Sequence, residues 1–220
     1  AFEKLYASLF RAHPYGTQTT IGTVEHLKNP SLIKIRSYFN TWYVPNNMAI
    51  IMVGDFNPED VIEMIDKHFS YMKSKPVPEF TFKQEYPRGR PDSISVTGPD
   101  AASVMMGWRF DGVSSKDALM VRLVDLILNN SKAGLIDLNL VKEQKVLSAG
   151  SSPDFMKDYS VHMLQGKPKE GQSLEAVRDL LLSQIELIKK GDFDEELLKG
   201  IIANNMVEEI TNFDNNEGVA

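Results

Sequence analysis

The sequence contains no cysteine, and its basic residues are fewer than its acidic ones. Without cysteine the chain has no disulfide, thiolate nucleophile or sulfur ligand for zinc, and it is compatible with any compartment. The net charge of -6 argues against nucleic-acid binding, because phosphate contacts need a basic surface. No apolar run approaches the roughly 20 residues that span a bilayer, and no charged-then-apolar leader opens the chain. Composition therefore predicts a soluble globular protein.

The 220 residues, 42% of them hydrophobic, are enough for one large or two modest cores. Prolines are concentrated between residues 76 and 92, where they disfavour a helix. We therefore predict a linker over residues 76–92. It separates a first domain over residues 1–75 from a second domain over residues 93–220.

Two helices are predicted early in the first domain. Apolar residues recur at helical spacing from Phe2, which predicts a helix at the start of the chain, one that continues from sequence further upstream. Asn29 can cap a second helix and Pro30 can open it. The inward stripe of that helix ends at Trp42, which we expect to be buried.

A strand and a third helix are predicted next. Residues 47–53 include an unbroken apolar run, which is typical of a fully buried strand. Gly54 and Asp55 then favour a plain turn over a functional carboxylate. Asn57 can cap the following helix, and Pro58 suits its first position.

The second domain has mixed strand and helix patterns. A helix is predicted from Ser114 or Ser115, another over residues 174–190 with Gly191 as its left-handed cap, and a last one after Asp194. Four strands are predicted, over residues 93–97, 102–110, 146–151 and 159–165. Grouped strands and helices predict an α+β fold, with helices packed on a largely antiparallel sheet.

The four histidines do not form a metal site by their spacing. His13 precedes a proline, and we interpret it as a loop residue with a local hydrogen bond. His26 is predicted to be solvated near a helix start and His68 to lie at the margin of the core. His162 is predicted to be exposed on a strand. We therefore predict no metal ligand among them.

Other candidate residues also favour structural interpretations. The adjacent pairs Glu195-Glu196 and Glu208-Glu209 point about 100° apart on helices, so we interpret them as solvated. The remaining candidates lack the motif that their chemistry needs, a nucleophile elbow or a phosphate loop: Ser131, Ser148, Ser151, Ser152, Gly134 and Gly150. The sequence thus predicts no catalytic residue, and it assigns no substrate-binding residue.

Two sequence segments nevertheless carry a family resemblance: residues 12–16, AHPYG, and residues 43–56, YVPNNMAIIMVGDF. With the helical stretch 31–42 between them, they resemble the M16 (insulinase/pitrilysin-like) zinc metallopeptidases. The segments around Gly134-Leu135 and residues 190–197 also resemble the family's second domain. This resemblance implies two related α+β domains joined by a linker, with the first one incomplete here.

The resemblance also implies chemistry that lies outside this chain. The family carries an inverted zinc motif, His-x-x-Glu-His, and a further Glu ligand, and its motif glutamate acts as general base on zinc-bound water. The chain lacks this motif. We therefore expect zinc in the intact parent and none in this fragment, which would be inactive alone.

By this resemblance the fragment supplies scaffold and one chamber wall to a zinc metalloendopeptidase acting on peptides or unfolded polypeptides. Its partners would be that substrate and the remaining halves of the parent, or a partner subunit. The alternative is a non-catalytic M16-like half that binds peptides or serves in assembly. An independent peptide-binding domain is a third possibility. We expect residues 93–212 to form a self-sufficient core and residues 1–73 to be less stable.

Overall fold

A computed structural model describes residues 1–19, 21–214 and 216–219. Its elements are α1 (Phe2–Leu9), α2 (Pro14–Thr17), α3 (Val24–Lys28), α4 (Leu32–Trp42), a 3₁₀ turn (Pro45–Asn47), α5 (Pro58–Phe69), β1 (Val104–Asp111), α6 (Lys116–Leu128), a π-helix (Asp137–Lys142), β2 (Ser148–Phe155), β3 (Tyr159–Lys167), α7 (Leu174–Lys190), α8 (Glu195–Asn212) and α9 (Asn216–Val219). Each helix in this part of the chain is too short or too polar to cross a membrane. The fold consists of helices packed on a small antiparallel sheet.

The sheet has three strands in the order β1-β3-β2, all antiparallel. Its register places Trp108 of β1 and Pro153 of β2 on either side of His162. Strand β3 is mostly buried, because it has a neighbour along each edge. The α+β class and the antiparallel pairing predicted from the sequence are thus confirmed.

The strand predicted over residues 93–97 is wrong. In the structure these residues have no strand pairing, and Ile94 and Val96 are exposed. Alternation of apolar and polar residues favours a strand only where a neighbouring strand supplies hydrogen-bond partners.

One hydrophobic core is built from the sheet, α6, the π-helix and α7. Its buried members are Leu128, Ile136, Leu140, Val146, Leu164, Val177 and Leu181. Helix α7 lies close to β3 at Gly166, where an added Cβ atom would be 2.6 Å from Cγ1 of Val177. Each fully buried aliphatic side chain contributes about 1.5–3 kcal/mol, so this core dominates the stability of the surrounding elements.

Capping residues account for the start and end of α7 and for the start of α8. The Ser173 side chain accepts a hydrogen bond from the Ala176 amide at the start of α7, and Gly191 ends that helix with a φ of 67°. The Asp194 carboxylate accepts a hydrogen bond from the Glu196 amide at the start of α8. Side-chain caps satisfy amides that have no partner within the helix, which is why these boundaries are local in origin.

The chain divides into two compact units. The first contains Ala1–Thr17 and Gln84–Asn205, and it includes the sheet. The second contains Gln18–Lys83 together with the C-terminal residues from Met206. The division into domains at residues 75 and 92 stays a prediction.

Helix α1 is confirmed and belongs to the sheet-bearing unit. It packs against β1 at Gly107, where an added Cβ would lie 3.2 Å from side-chain atoms of Leu5 and Leu9. Tyr6 and Phe10 are buried, whereas Phe2 is half exposed. The apolar stripe of the first ten residues is therefore a packing surface for the sheet.

The second unit contains α4 and α5 close to their predicted positions. Ser31 caps α4 in place of Asn29, since its hydroxyl accepts a hydrogen bond from the Lys34 amide. Asn57 caps α5 as predicted, with Pro58 in the first turn. Neither helix has a buried residue in the described chain.

Two predictions for the second unit are wrong. Residues 48–53 form no strand and are exposed or half-buried, although their apolar run predicted a buried one. Trp42 is half-buried rather than buried, and its nearest aromatic neighbour is Tyr38, with ring centroids 6.2 Å apart. An apolar run becomes a buried strand only when other strands and helices cover it, and the described residues of this unit provide no such cover.

Candidate functional site

His13 lies in the segment 12–16 that carries the family resemblance, and it is completely buried. Its Nδ1 accepts a hydrogen bond from the Tyr15 amide at 3.2 Å, so the predicted local hydrogen bond is confirmed. Its Nε2 lies 3.4 Å from Oδ2 of Asp158. The rings of Tyr15 and Tyr159 lie 4.1 and 5.3 Å from the imidazole, centroid to centroid. The histidine is therefore part of a packed aromatic cluster, between α1 and β3.

Glu85 closes this cluster from a distant part of the chain. One carboxylate oxygen accepts the amides of Ala12 at 2.6 Å and His13 at 2.9 Å. The other lies 3.5 Å from the guanidinium of Arg109. Burial raises the pKa of Glu85, but the two amides and the charges of Arg109 and Arg88 outweigh it, so that pKa lies below its usual value.

Arg109 projects from β1 into the same cluster. It donates hydrogen bonds to the carbonyls of Leu9 and Tyr86, the latter at 2.9 Å. Its guanidinium carbon lies 5.9 Å from the ring centroid of Phe10 and 5.4 Å from that of Tyr159. A planar guanidinium suits this position, because it can donate in its plane and stack on aromatic faces.

Tyr6 joins α1 to the far strand of the sheet. Its hydroxyl donates a hydrogen bond to the Asp154 carboxylate of β2. Burial, followed by this hydrogen bond and the charge of Asp154, raises the pKa of Tyr6 far above its usual range. The phenol is thus held as a neutral donor, a structural role.

The second buried histidine, His162, corrects a sequence prediction. It was expected to be exposed, but it is 5% exposed and its Nε2 lies 2.9 Å from Oδ1 of Asp125. The same oxygen accepts the Ser151 hydroxyl at 2.6 Å. The prediction fails because α6 covers the face of β3 on which His162 lies, and alternation within a strand does not reveal which face is covered.

Ser151, His162 and Asp125 are the residue types of a nucleophilic triad, but the geometry is different. In a triad the histidine lies between the serine and the carboxylate and takes the serine proton. Here both groups contact the same carboxylate oxygen. The arrangement holds two strands to α6 and does not activate the serine.

The other histidines lie in the second unit. His26 is exposed near the start of α3, as predicted, and the Thr23 side chain caps that helix. His68 is exposed near the end of α5, so the prediction that it lies at a core margin is wrong. Asp55 is exposed in a bend after the apolar run, which agrees with the predicted turn.

Gly134 has a structural reason for its size. An added Cβ would lie 2.6 Å from the Leu128 carbonyl oxygen and 2.8 Å from the Asn129 Cα. Its amide donates to Asp137, whose carboxylate also accepts the Asn130 amide at 2.9 Å. The turn after α6 is thus built around Asp137 and not around a phosphate.

The remaining sequence candidates are dispersed. The carboxylate pairs at 195–196 and 208–209 are exposed on α8, as predicted. A groove of about 380 Å³ lies beside the first of these pairs. Its apolar lining comes from the segment after α6, from the connection between α7 and α8, and from α8, and it includes Leu135, Leu138, Phe193, Leu197 and Ile201.

The polar residues of the buried clusters had little sequence signal. Glu85 lies in the predicted linker, Arg109 in a predicted strand, Asp125 in a predicted helix and Asp158 just before a predicted strand, and no short motif connects them. Of the residues in these clusters, only His13 lies within a segment that carries the family resemblance, residues 12–16. The strand register and the packing of α1 bring the partners together, and these are properties of the tertiary structure.

Comparisons with known proteins agree with this architecture. A family model described as the Peptidase M16 inactive domain matches residues 31–205. The zinc protease PqqE of Helicobacter pylori is 24% identical in an alignment over 222 residues, which covers 99% of this chain and 50% of that protein. The chain therefore spans half the length of that relative.

Solved structures show the same fold. A protease from Helicobacter pylori superposes with a TM-score of 0.89 at 23% identity, over 99% of this chain and 53% of that one. The first half of the periplasmic protease PqqL from Escherichia coli gives a TM-score of 0.63 at 13% identity, over 97% and 47%.

Proposed function

Because this chain belongs to the M16 peptidase family, we propose that it is part of a zinc-dependent metalloendopeptidase that hydrolyses peptides or unfolded polypeptides. The observation that carries the proposal is the family match, which extends over most of the chain. The similarity to a protein named as a zinc protease supports it. Within that enzyme this chain supplies scaffold and one wall of the chamber around the substrate, and the remaining halves or a partner subunit complete the enclosure.

The internal bonding of the polar clusters supports a scaffold role. His13 faces Asp158, His162 faces Asp125, and Glu85 faces Arg109, each within one unit of the fold. Buried polar groups that bond one another stabilise a unique packing, and their hydrogen-bonding capacity is used internally. The description of the matching family model as an inactive domain agrees with this role.

The side chains in the part of the chain that the structure describes do not fit a zinc site. Across residues 1–19, 21–214 and 216–219, no three His, Asp or Glu side chains are grouped to hold a metal ion. A protein zinc site needs three or four such ligands. We therefore assign no catalytic step to these residues and place the zinc ligands of the proposed enzyme in another part of it.

A second candidate is a non-catalytic M16-like half that binds peptides or acts as an assembly partner. The description of the matching family model as an inactive domain favours it as well. The two candidates differ in one feature, the presence of His-x-x-Glu-His in the complete gene product. The sequence of the complete gene product distinguishes them.

The test compares the purified chain with the complete gene product, using an unfolded, fluorescently labelled polypeptide as substrate. We expect no cleavage and no tight stoichiometric zinc binding by the chain alone, and chelator-sensitive cleavage by the complete product. Calorimetry showing one tight zinc per chain, abolished by His13→Ala or His26→Ala, would contradict the assignment of zinc elsewhere. A complete product that contains no zinc motif and cleaves nothing would support the second candidate.

A further inference from the structure

We infer that Glu85, Arg109 and Asp92 form a clasp that fastens residues 1–17 to residues 84–92 on the sheet. Both segments belong to the sheet-bearing unit, although residues 18–83 separate them in sequence. The clasp is independent of the proposed peptidase function. It makes the N-terminal helix an integral part of the sheet-bearing unit.

The first contact of the clasp is between Glu85 and the N-terminal segment. The carboxylate accepts two consecutive backbone amides, Ala12 at 2.6 Å and His13 at 2.9 Å. The Glu85 amide in turn donates to the Tyr159 hydroxyl of β3 at 2.9 Å. Charge-assisted bonds to backbone amides are among the stronger hydrogen bonds in proteins, and the Glu85 side chain is only 7% exposed.

The second contact is Arg109, which joins three segments at one guanidinium. It donates to the Leu9 carbonyl of the N-terminal segment and to the Tyr86 carbonyl of the returning segment. It also pairs with Glu85, and its side chain is 14% exposed. Since Arg109 lies on β1, the two segments are fixed to the sheet as well as to each other.

The third contact is an ionic group at the outer edge. The Asp92 carboxylate accepts Ser8 at 3.2 Å and Arg11 at 2.6 Å, both from the N-terminal segment, and it also pairs with Arg88. Arg88 donates in turn to the backbone carbonyl of Ser8. The same two segments are thus joined twice, once in a buried contact and once at the surface.

Closing the ends of a long segment has a thermodynamic consequence. Once residues 8–13 and 85–92 are held together, residues 18–83 between them can open locally without releasing the N-terminal helix from the sheet. Since α4 and α5 have no buried residue, this segment is expected to open more readily than the sheet. The clasp separates the stability of the two units.

The direct test inserts one sequence-specific protease site after Gly22 of the full chain, so that cleavage breaks the backbone and removes no residue. We expect the peptide 1–22 to co-elute with the piece that begins at residue 23 in size-exclusion chromatography. Separation of that peptide at micromolar concentration would overturn the inference.

A second measurement uses the intact chain without inserted sites. Amide hydrogen exchange of Ala12 and His13, followed by NMR, should accelerate at least about tenfold in Glu85→Ala, because each amide loses a charge-assisted bond. Glu79→Ala is the matched control, since Glu79 is an exposed residue close by in sequence. Equal exchange of the two amides in both variants would show that Glu85 does not hold the N-terminal segment.

Discussion

The carboxylate of Asp125, on α6, lies 2.9 Å from Nε2 of His162 on the central strand of the sheet. The same Oδ1 accepts the Ser151 hydroxyl of β2 at 2.6 Å. One carboxylate thus binds a helix to two neighbouring strands beside the main core. Removal of the Asp125 carboxylate would leave the buried imidazole of His162 without this partner.

Asp125→Ala should lower the free energy of unfolding by about 1–3 kcal/mol, because His162 and Ser151 lose a shared partner. The measurement is urea denaturation at neutral pH. The control is Asp192→Ala, which removes an exposed carboxylate and should change stability by less than about 0.5 kcal/mol. Equal stability of the two variants would show that the Asp125 contacts contribute nothing.

Two glycine substitutions should have opposite effects. Gly134→Ala should destabilise by about 1–3 kcal/mol, because the new Cβ would meet the Leu128 carbonyl at 2.6 Å and the backbone must move. Gly200→Ala should stabilise by about 1 kcal/mol, because this position lies within α8 and has open space for a Cβ. Thermal unfolding of both variants beside the parent chain checks the signs. A neutral Gly134→Ala would mean that the turn relaxes without cost.

The lowered pKa of Glu85 predicts a loss of stability in acid. Above its ordinary pKa of 4.5 the residue is ionised in both states, and its contribution is present in full. Below that pH the unfolded chain binds a proton before the folded chain does, so stability falls as pH decreases towards the folded pKa. Glu85→Gln should be less stable than the parent at neutral pH, and the difference should shrink in acid. Denaturation of both, with Glu79→Gln as control, tests this; a difference that is constant with pH would contradict it.

Hydrogen exchange should distinguish the two units. Amides of β3 and α7 should exchange slowly, and those of α4 and α5 should exchange faster, because neither α4 nor α5 has a buried residue. Residues 2–9 should exchange with the sheet, since α1 packs on β1. The sequence alone grouped residues 1–73 as the less stable part. Fast exchange of α1 together with α4 would favour that grouping.

Two aromatic truncations should differ in cost. Phe10→Ala should destabilise by about 3–5 kcal/mol, because Phe10 is fully buried among Tyr6, Tyr15 and Tyr159. Trp42→Ala should cost less than about 2 kcal/mol, because Trp42 is half-buried. Chemical denaturation of both variants provides the comparison. A larger cost for Trp42→Ala than for Phe10→Ala would contradict this ranking.

Much of the local structure was predictable from the sequence. Asn57 with Pro58, Gly191 and Asp194 each act on amides or carbonyls within one helical turn, so these residues define the helix boundaries next to them. The strands near residues 104, 148 and 159 were also predicted, as were the antiparallel α+β class and the family. These features depend on short-range periodicity of apolar residues and on contiguous sequence segments.

The tertiary structure decided which polar residues are buried and what they bind. Glu85 and His13 are 72 residues apart, and Tyr6 and Asp154 are 148 apart. It also decided that the 47–53 run is left largely exposed while the alternating strand containing His162 is covered. The sequence by itself determined most helix ends, the strand periods of the sheet and family membership, because these arise from neighbouring residues. The burial and pairing of side chains depend instead on which distant element covers each face of a strand or helix. A local sequence pattern does not contain this information.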